Sequence, residues 1–463
     1  YIGGFYAFFA SIFLMSQTMF LWTPAEARGN LAVFFFALAI MVLFHDGITE
    51  FARRTLFIIF AASVILSHYT TTYLFFFVLL FIYVGTQVLY GIMLSRKKEL
   101  VSASPGTDAE ENTPGSASRG FPKRGDTMAS GAISRGTLHV QPKRLINLMI
   151  VLLFFSMLLL WYMQVIEIPF TRGVDVVYGV LENLNRFYLE ESRSTYVQAA
   201  FGRIPLETGI AQEIKFYVSW MTVAFIAIGV FTLIMRLKKI ISIPNTKHDK
   251  SPFLIRKIEP EFLMLLISCC VILVLSIALP RISKAYGFTR TYFQMAVPLS
   301  ICFVIGGMTI ARYLKSRYYW VILLVLMPYF MCMTGTVYQI SGVPNAVTLN
   351  SEGEMYNHYY IHDREIYAAR HLEDYRQSLE VHADRLGLIR LRHEGLGEIG
   401  RLYTLSPSYH QEEEIGGYIY LRYYNIVDGK FEYYGEHHNM EEFASLFAGK
   451  NLIYANGGSE VWK

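Results

Sequence analysis

The sequence predicts an α-helical polytopic membrane protein with about nine transmembrane helices and a small C-terminal extracytoplasmic α/β domain. Three observations lead to this fold class. The 463 residues are 53% hydrophobic and only 17% charged, whereas soluble domains carry about 25% charged residues. The apolar residues form long runs before residue 340, and the rest of the chain is polar. Basic residues are concentrated in loops that nine spans would place on one side. These features exclude an ordinary soluble enzyme and a disordered protein.

The spans follow from the lengths of the apolar runs, because a helix that crosses a bilayer needs about 20 mostly apolar residues. Four predicted spans precede residue 95, and five follow residue 144. The polar run SHYTTTY at residues 67–73 predicts a helix end at the membrane interface or a tight hairpin between the third and fourth spans. The nine predicted spans are residues 2–21, 30–45, 54–67, 73–94, 145–165, 216–236, 261–280, 292–311 and 318–338.

The lysines and arginines predict the orientation of these spans. Nine spans place four basic loops on the same side, and the positive-inside rule makes that side the cytoplasm. The protein is therefore predicted to be a multi-pass protein of the cell membrane whose tail lies outside. Residues 351–463, with 19 acidic and 11 basic residues, have a net charge of −8, as expected for a tail across the membrane from those loops. The basic loops contain Arg53 and Arg54; Arg96, Lys97, Lys98, Lys143 and Arg144; Arg236, Lys238, Lys239, Arg256 and Lys257; and Arg312, Lys315 and Arg317.

Four regions follow from this pattern. Residues 1–94 form the first membrane helices, and residues 95–144, rich in Ser, Gly, Pro and Thr, form a disordered cytoplasmic linker. Residues 145–340 form a second bundle of five helices. Its outer segment, residues 166–215, has apolar residues at helical spacing, which predicts amphipathic helices on the outer membrane surface or against the tail. Residues 341–463 form the soluble α/β domain. The apolar residues at helical spacing are Tyr178, Leu181, Leu184, Phe187 and Tyr188.

Within the soluble domain, a period of 3.6 predicts helices, and short apolar runs predict strands. The Asp428-Gly429 pair is typical of a hairpin turn. Helices are predicted at residues 363–379 and 440–447, and strands at residues 388–391, 400–405, 418–424, 431–434 and 452–455.

Charged and polar residues at the outer helix ends are the candidate site residues, because such groups are costly near a membrane unless they are solvated or paired. A guanidinium group matches phosphate oxygens, and histidine can accept or donate a proton near neutral pH. Snorkelling of arginine, helix capping by His68 and a local Glu26–Arg28 ion pair remain as alternatives. The catalytic candidates are Glu26 and His68, and the candidates for binding substrate or a lipid phosphate are Arg28, His68, Tyr69, Arg290 and Tyr292.

No metal site or cofactor motif is recognised in the sequence. The four cysteines all lie in apolar runs without metal-ligand spacing. The phosphate-binding and metalloprotease motifs are absent, although a divalent metal requirement is not readable from the sequence. The lipid bilayer is the predicted partner. Nucleic acid is excluded because no basic stripe is present, and the oligomeric state does not follow from the sequence.

Several motifs resemble a family of large archaeal membrane proteins that is described only as a predicted membrane family of unknown function. The motifs are SHYTTTY at residues 67–73, FTRTY at 288–292, YIYLRYYN at 418–425 and NLIYANGGS at 451–459. The architecture of that family is similar to the glycosyltransferase C superfamily. Members of this superfamily take sugars from polyprenyl-phosphate donors on the outer membrane face, which implies such a donor as the partner here.

The resemblance implies a membrane glycosyltransferase-like protein for cell-surface glycan or glycoprotein synthesis. The alternative is a non-enzymatic membrane scaffold whose outer domain binds a partner or an envelope polymer. The superfamily carries a catalytic acid in its first outer loop. Because the chain opens at Tyr1 inside an apolar run, we expect a fragment in which that acid lies upstream, and Glu26 is in a later loop. The donor sugar and the acceptor are not readable from the sequence.

Overall fold

The computed structural model is mostly helical and forms two compact units. Unit 1 comprises Tyr1–Thr208 and Val218–Leu326, and unit 2 comprises Gly209–Tyr217 and Met327–Lys463. The structure describes residues 1–22, 27–102, 146–165, 167–183, 194, 197–198, 210–242, 258–279, 282–283, 287–342, 351–375, 380–393, 402–405, 416–433, 436–447 and 449–463.

Unit 1 is built from apolar helices. Five helices contain stretches that are long and apolar enough to cross a membrane: Ala27–Phe44, Tyr69–Ile92, Ile210–Arg236, Pro260–Ala278 and Phe288–Tyr313. The helices in chain order are α1 (Gly4–Met15), α2 (Thr18–Leu21), α3 (Ala27–Phe44), α4 (Glu50–Ser67), α5 (Tyr69–Ser102), α6 (Leu148–Gln164), α7 (Glu167–Glu182), α8 (Ile210–Ser242), α9 (Pro260–Ala278), α10 (Phe288–Tyr313) and α11 (Tyr318–Met333). The first turns of α8 and the end of α11 belong to unit 2.

The prediction of one continuous helix over residues 2–21 is wrong. Helix α1 ends at Met15, and the short helix α2 begins at Thr18. Two polar side chains at the break bind backbone carbonyls of the preceding turn. Ser16 donates to Ile12 O at 2.6 Å, and Gln17 Nε2 donates to Phe13 O at 2.9 Å. Such local hydrogen bonds compete with the regular helix ladder and favour a bend or an end.

Helices α4 and α5 form the tight hairpin that the polar run predicted. Only His68 separates the end of α4 from the start of α5. The Thr72 hydroxyl donates to Val64 O at 3.1 Å and lies 3.2 Å from the Tyr162 hydroxyl, which donates to Ile65 O at 2.6 Å. These buried hydrogen bonds hold the carbonyls at the end of α4 and fix the position of His68.

Helices α8 and α10 approach each other so closely that their backbones are in contact. A Cβ atom added at Gly306 would lie 1.8 Å from Phe225 O, and one at Gly229 would lie 2.0 Å from Cys302 O. Small residues allow this approach in membrane bundles, where close packing replaces the hydrophobic effect as the force between helices. The Thr232 and Thr309 hydroxyls lie 3.3 Å apart across the same contact.

Parts of the predicted linker and outer segment lie outside the described residues. Residues 103–145 are not described, whereas α5 continues to Ser102. In the outer segment, α7 is an amphipathic helix with Val177, Tyr178 and Leu181 more than half exposed. The other predicted members of its apolar face, Leu184, Phe187 and Tyr188, lie outside the described residues.

Unit 2 contains a five-stranded sheet of order β2-β1-β3-β7-β6 and a two-stranded sheet of β4 and β5. Strand β1 is parallel to β2 and β3, and β7 is antiparallel to β3 and β6. The strands are β1 (Val381–Ala383), β2 (Leu402–Thr404), β3 (Tyr418–Leu421), β4 (Lys430–Tyr433), β5 (Glu436–Asn439), β6 (Leu452–Ala455) and β7 (Glu460–Trp462). The helices are α12 (Thr336–Ile340), α13 (Glu354–Tyr359), α14 (Asp363–Tyr375), α15 (Arg385–His393), α16 (Tyr423–Ile426) and a 3₁₀ helix (Met440–Phe447).

The sheet confirms the predicted strand at Leu452–Ala455 but corrects three other elements. Residues 388–391 lie in α15 rather than a strand, because Asp384 caps that helix by accepting from Gly387 N at 2.6 Å. The predicted strand 418–424 ends at Leu421, and Arg422 is the N-cap of α16. The Asp428-Gly429 turn follows that helix, so β4 forms its hairpin with β5 and not with the preceding strand.

Candidate functional site

A small pocket in unit 1 brings together two of the predicted site residues. His68 and Arg290 both line it, although they lie far apart in the sequence. The enclosed volume of ≈ 10 Å³ is room for about one water molecule, so a larger group would have to lie at its mouth. The lining residues are Met19, Gly29, Asn30, Val33, His68, Thr70, Thr71, Leu74, Arg290, Phe293 and Gln294.

His68 is held at the junction of α4 and α5 by its neighbours. Its Nδ1 lies 3.4 Å from the Thr71 hydroxyl, and its ring stacks on Tyr69 with 5.1 Å between the centroids. Its carbonyl accepts from Thr72 N at 3.2 Å and so begins α5. Tyr69 is absent from the pocket lining, so its contact with the site is through the ring of His68.

Arg290 stands in the first turn of α10, beside a buried amide. Gln294 is almost fully buried, and its Nε2 donates to Thr71 O at 3.1 Å. This hydrogen bond joins the first turn of α5 to α10 and fixes Arg290 next to His68. Tyr292 does not line the pocket.

Three helices begin at this pocket. Gly29 and Asn30 lie in the first turn of α3, Thr70 and Thr71 in that of α5, and Arg290 in that of α10. The first N–H groups of a helix have no partner inside the helix, and each macrodipole adds roughly half a positive charge at this end. Residues 27–30, 69–72 and 288–291 include no Asp or Glu. The C-terminal end of α4 lies at the same junction and opposes the contribution of α5. The starts of α3 and α10, together with Arg290, favour an anion at the pocket.

Of the remaining predicted residues, Arg28 does not line the pocket. Arg28 is exposed in the first turn of α3, next to the lining residue Gly29. Glu26 directly precedes α3 and lies outside the described residues. Both residues are therefore close in sequence to the lining residue Gly29.

The sequence analysis missed the buried amides that shape the pocket. Asn30 Nδ2 donates to Met19 O at 2.8 Å, and Gln294 donates to Thr71 O. Each is an uncharged polar residue beside or within an apolar run, and such residues need a partner inside the membrane. Their presence could have been noticed in the sequence, but their partners come from other helices.

Unit 2 holds a second polar cluster, which is buried at the carboxyl ends of its parallel strands. Asp384 follows β1, Arg422 follows β3, and Arg422 Nε donates to Asp384 Oδ2 at 2.6 Å. Both side chains are fully buried. Arg422 also donates to His358 O at 2.9 Å, and Asn425 Nδ2 donates to Asp384 Oδ2 at 3.3 Å. Because the two charges are fully buried and hydrogen-bonded to each other, we assign this cluster to stability.

A neighbouring ion pair joins helices α14 and α15. Arg390 donates to Glu365, which also accepts from Tyr423 N at 2.8 Å. Burial raises the pKa of the Glu365 carboxyl, and the nearby Arg390 guanidinium acts in the opposite direction. Burial likewise lowers the pKa of Arg390, opposed by Glu365. Each charge is thus stabilised mainly by the other, as expected for a buried pair.

No group of three or more His, Cys, Asp or Glu side chains able to hold a metal occurs within the described ranges. Next to the ionic cluster of unit 2, His358 Nε2 and Glu432 Oε2 lie 3.9 Å apart. Two ligands at that distance do not define a metal site.

Comparison with family models matches residues 53–462 to the family described as "Predicted membrane protein (DUF2206)". The matched region includes His68 and Arg290 and extends to the last strand of unit 2. No curated protein and no solved structure matches the chain.

Proposed function

The chain belongs to the DUF2206 family of predicted membrane proteins, and we propose that it is a glycosyltransferase-like protein using a polyprenyl-phosphate-linked sugar. It acts on the outer membrane face in cell-surface glycan or glycoprotein synthesis. One observation carries the proposal, which is that Arg290, His68 and the beginnings of three helices surround one pocket.

The phosphate of the donor lies at the mouth of the pocket. Arg290 supplies a charge-assisted hydrogen bond, and the starts of α3 and α10 supply further positive potential. The polyprenyl chain then extends along the apolar helices that flank the pocket.

In the transfer step, the acceptor hydroxyl attacks the anomeric carbon of the sugar and loses its proton to a base. The bond from this carbon to the phosphate oxygen breaks, and polyprenyl phosphate leaves with the negative charge. Arg290 stabilises that charge as it develops. His68 is the described residue at the pocket that can accept the proton near neutral pH. Glu26 is the alternative base, because it is the carboxylate nearest in sequence to the lining residue Gly29.

The connectivity of unit 1 supports an outer location of the pocket. It lies at the start of α3, at the junction of α4 and α5, and at the start of α10. The basic residues Arg53, Arg54, Arg312, Lys315 and Arg317 lie at the other ends of these helices. The positive-inside rule assigns that basic end to the cytoplasm. With nine spans, the tail is then extracytoplasmic as well.

Cysteine labelling tests this orientation. We expect Arg28→Cys to react with a membrane-impermeant maleimide in sealed right-side-out vesicles. Asp46→Cys, in the exposed loop between α3 and α4, should react only after the vesicles are opened. The unchanged protein is the control for its four native cysteines, which lie in apolar runs. Labelling of Asp46→Cys in sealed vesicles would place the pocket in the cytoplasm and contradict the proposal.

Substitution of Arg290 tests the phosphate site. Arg290→Ala should weaken the binding of polyprenyl phosphate by about 1.5–3 kcal/mol, the contribution of a charge-assisted hydrogen bond. Arg290→Lys should recover only part of this loss, because lysine lacks the bidentate fork. The affinities are measured for purified protein in nanodiscs. Arg54→Ala is the control, since it removes an exposed arginine near the start of α4, at the opposite end of that helix from the pocket.

The outcomes separate binding from catalysis. If Arg290 merely snorkels, lysine should replace it fully and alanine should leave lipid affinity unchanged. If the wild-type protein binds polyprenyl phosphate but neither transfers nor hydrolyses a linked sugar, this result would support the lipid-phosphate site and contradict the proposed enzymatic activity. That result would favour the alternative, a membrane scaffold whose outer domain binds a partner or an envelope polymer.

A further inference from the structure

A second and larger pocket lies at the other end of α10. Arg290 and Arg312 are six turns apart on this helix, about 33 Å along its axis. The pocket is a wide, open depression at the surface with a volume of ≈ 480 Å³, and three cationic side chains and three tyrosines line it. None of its lining residues is acidic. They are Tyr6, Arg312, Lys315, Ser316, Arg317, Tyr318 and Tyr319.

The backbone at Lys315 departs from the usual rule for a helix end. Ser316 N donates to Ala311 O at 2.9 Å, and Lys315 has φ of 54°. These are the features of a Schellman motif, in which glycine or asparagine normally takes the left-handed position. In the part of the chain that the structure describes, Lys315 is the only non-glycine residue with positive φ. Such an outlier points to a role for the side chain.

The surroundings of the pocket favour a membrane lipid as the ligand. Tyr313, Leu314 and Trp320 are all strongly exposed beside it. Tryptophan and tyrosine at the end of an apolar helix are typical of the level of the lipid headgroups. A free anion would gain nothing from these apolar neighbours.

We propose that this pocket binds the phosphate headgroup of an anionic membrane lipid, with Lys315 as a direct ligand. Arg312 and Arg317 provide guanidinium donors, and the Arg317 side chain is oriented by its hydrogen bond to the Tyr319 hydroxyl at 3.1 Å. Basic pockets between membrane helices are suited to acidic headgroups. This inference is independent of the proposed glycosyltransferase function, because it involves neither Arg290 nor His68.

The test uses substitutions that suit the backbone while removing the charge. Lys315→Gly and Lys315→Asn both fit the left-handed conformation, so each should fold with a thermal midpoint no lower than that of wild type. Binding of dioctanoyl phosphatidylglycerol to the full chain in detergent, measured by calorimetry, should weaken about tenfold in both variants. An affinity within twofold of wild type in both variants would overturn the proposal.

Control measurements identify the ligand. Arg54→Gln removes one exposed basic charge from the beginning of α4, where Arg54 pairs with Glu50, and should leave the affinity within twofold. A loss as large as that of Lys315→Gly would mean that general charge attraction explains the binding, contrary to the proposal. Dioctanoyl phosphatidylcholine and inorganic phosphate should bind at least tenfold more weakly than phosphatidylglycerol. Equal binding of either would rule out an anionic lipid site.

Discussion

Gly306→Ala is expected to destabilise unit 1 by about 3 kcal/mol or to abolish folding, at the upper end of the usual overpacking cost. The added methyl group would lie 1.8 Å from Phe225 O. Because the obstacle is backbone and not the end of a flexible side chain, helices α8 and α10 would have to move apart. Their separation would also weaken the Thr232–Thr309 contact of 3.3 Å. Thermal unfolding of the protein in detergent measures the loss.

The matched control for this prediction is Gly91→Ala in α5. A Cβ atom at Gly91 would meet nothing within 4 Å, and alanine has the higher helix propensity by about 1 kcal/mol. Gly91→Ala should therefore be neutral or slightly stabilising. Gly229→Ala should repeat the effect of Gly306→Ala, since its methyl group would lie 2.0 Å from Cys302 O. Equal thermal midpoints for Gly306→Ala and Gly91→Ala would show that the two backbones are not in contact.

The apolar helices of unit 1 could largely be predicted because length and hydropathy determine whether a segment can enter a bilayer. The predicted segments 216–236, 261–280 and 292–311 correspond to helices α8, α9 and α10. The break between α1 and α2 could not be predicted from hydropathy. It depends on hydrogen bonds from the Ser16 and Gln17 side chains to carbonyls of the preceding turn. Mean hydropathy over a window of residues contains no information on such hydrogen bonds.

His68 and Arg290 were found in the sequence because polar residues at the end of an apolar run are conspicuous. Their meeting in one pocket could not be derived, since it depends on how α4, α5 and α10 pack. Gln294 shows the same limit, because its partner Thr71 O belongs to another helix. Arg28 is as polar as Arg290, yet it lies outside the lining because it occupies an exposed face of α3.

In unit 2 the short elements were harder to predict than the membrane helices. The residues 388–391 satisfy both a strand pattern and a helical one, and the decisive feature was the cap formed by Asp384. Arg422 follows an apolar strand and would ordinarily be placed at the surface. It is fully buried because its guanidinium group donates to Asp384 and to His358 O, and Asn425 donates to the same Asp384 carboxylate.

Arg422→Met is expected to destabilise unit 2 by about 3–5 kcal/mol, because it leaves the fully buried Asp384 carboxylate without its cation. Hydrogen exchange of peptides covering β1 and β3 measures the change in the full chain. Lys430→Met is the matched control: its ion pair with Glu354 has a similar N–O distance of 2.6 Å but is more than one-third exposed, so it should cost at most about 1 kcal/mol.

A double substitution separates the loss of an ion pair from the loss of a large side chain at Arg422. Arg422→Met combined with Asp384→Leu removes both charges, and an apolar pair can replace a buried ion pair with little net cost. Part of this gain is offset because Asp384 also accepts from Gly387 N, a helix cap worth about 1 kcal/mol. The double variant should therefore be more stable than Arg422→Met alone. The single variant Asp384→Leu completes the comparison. If the double variant loses as much stability as Arg422→Met and Asp384→Leu lose together, the two residues act independently. The unpaired Asp384 carboxylate would then not be the cause of the loss in Arg422→Met.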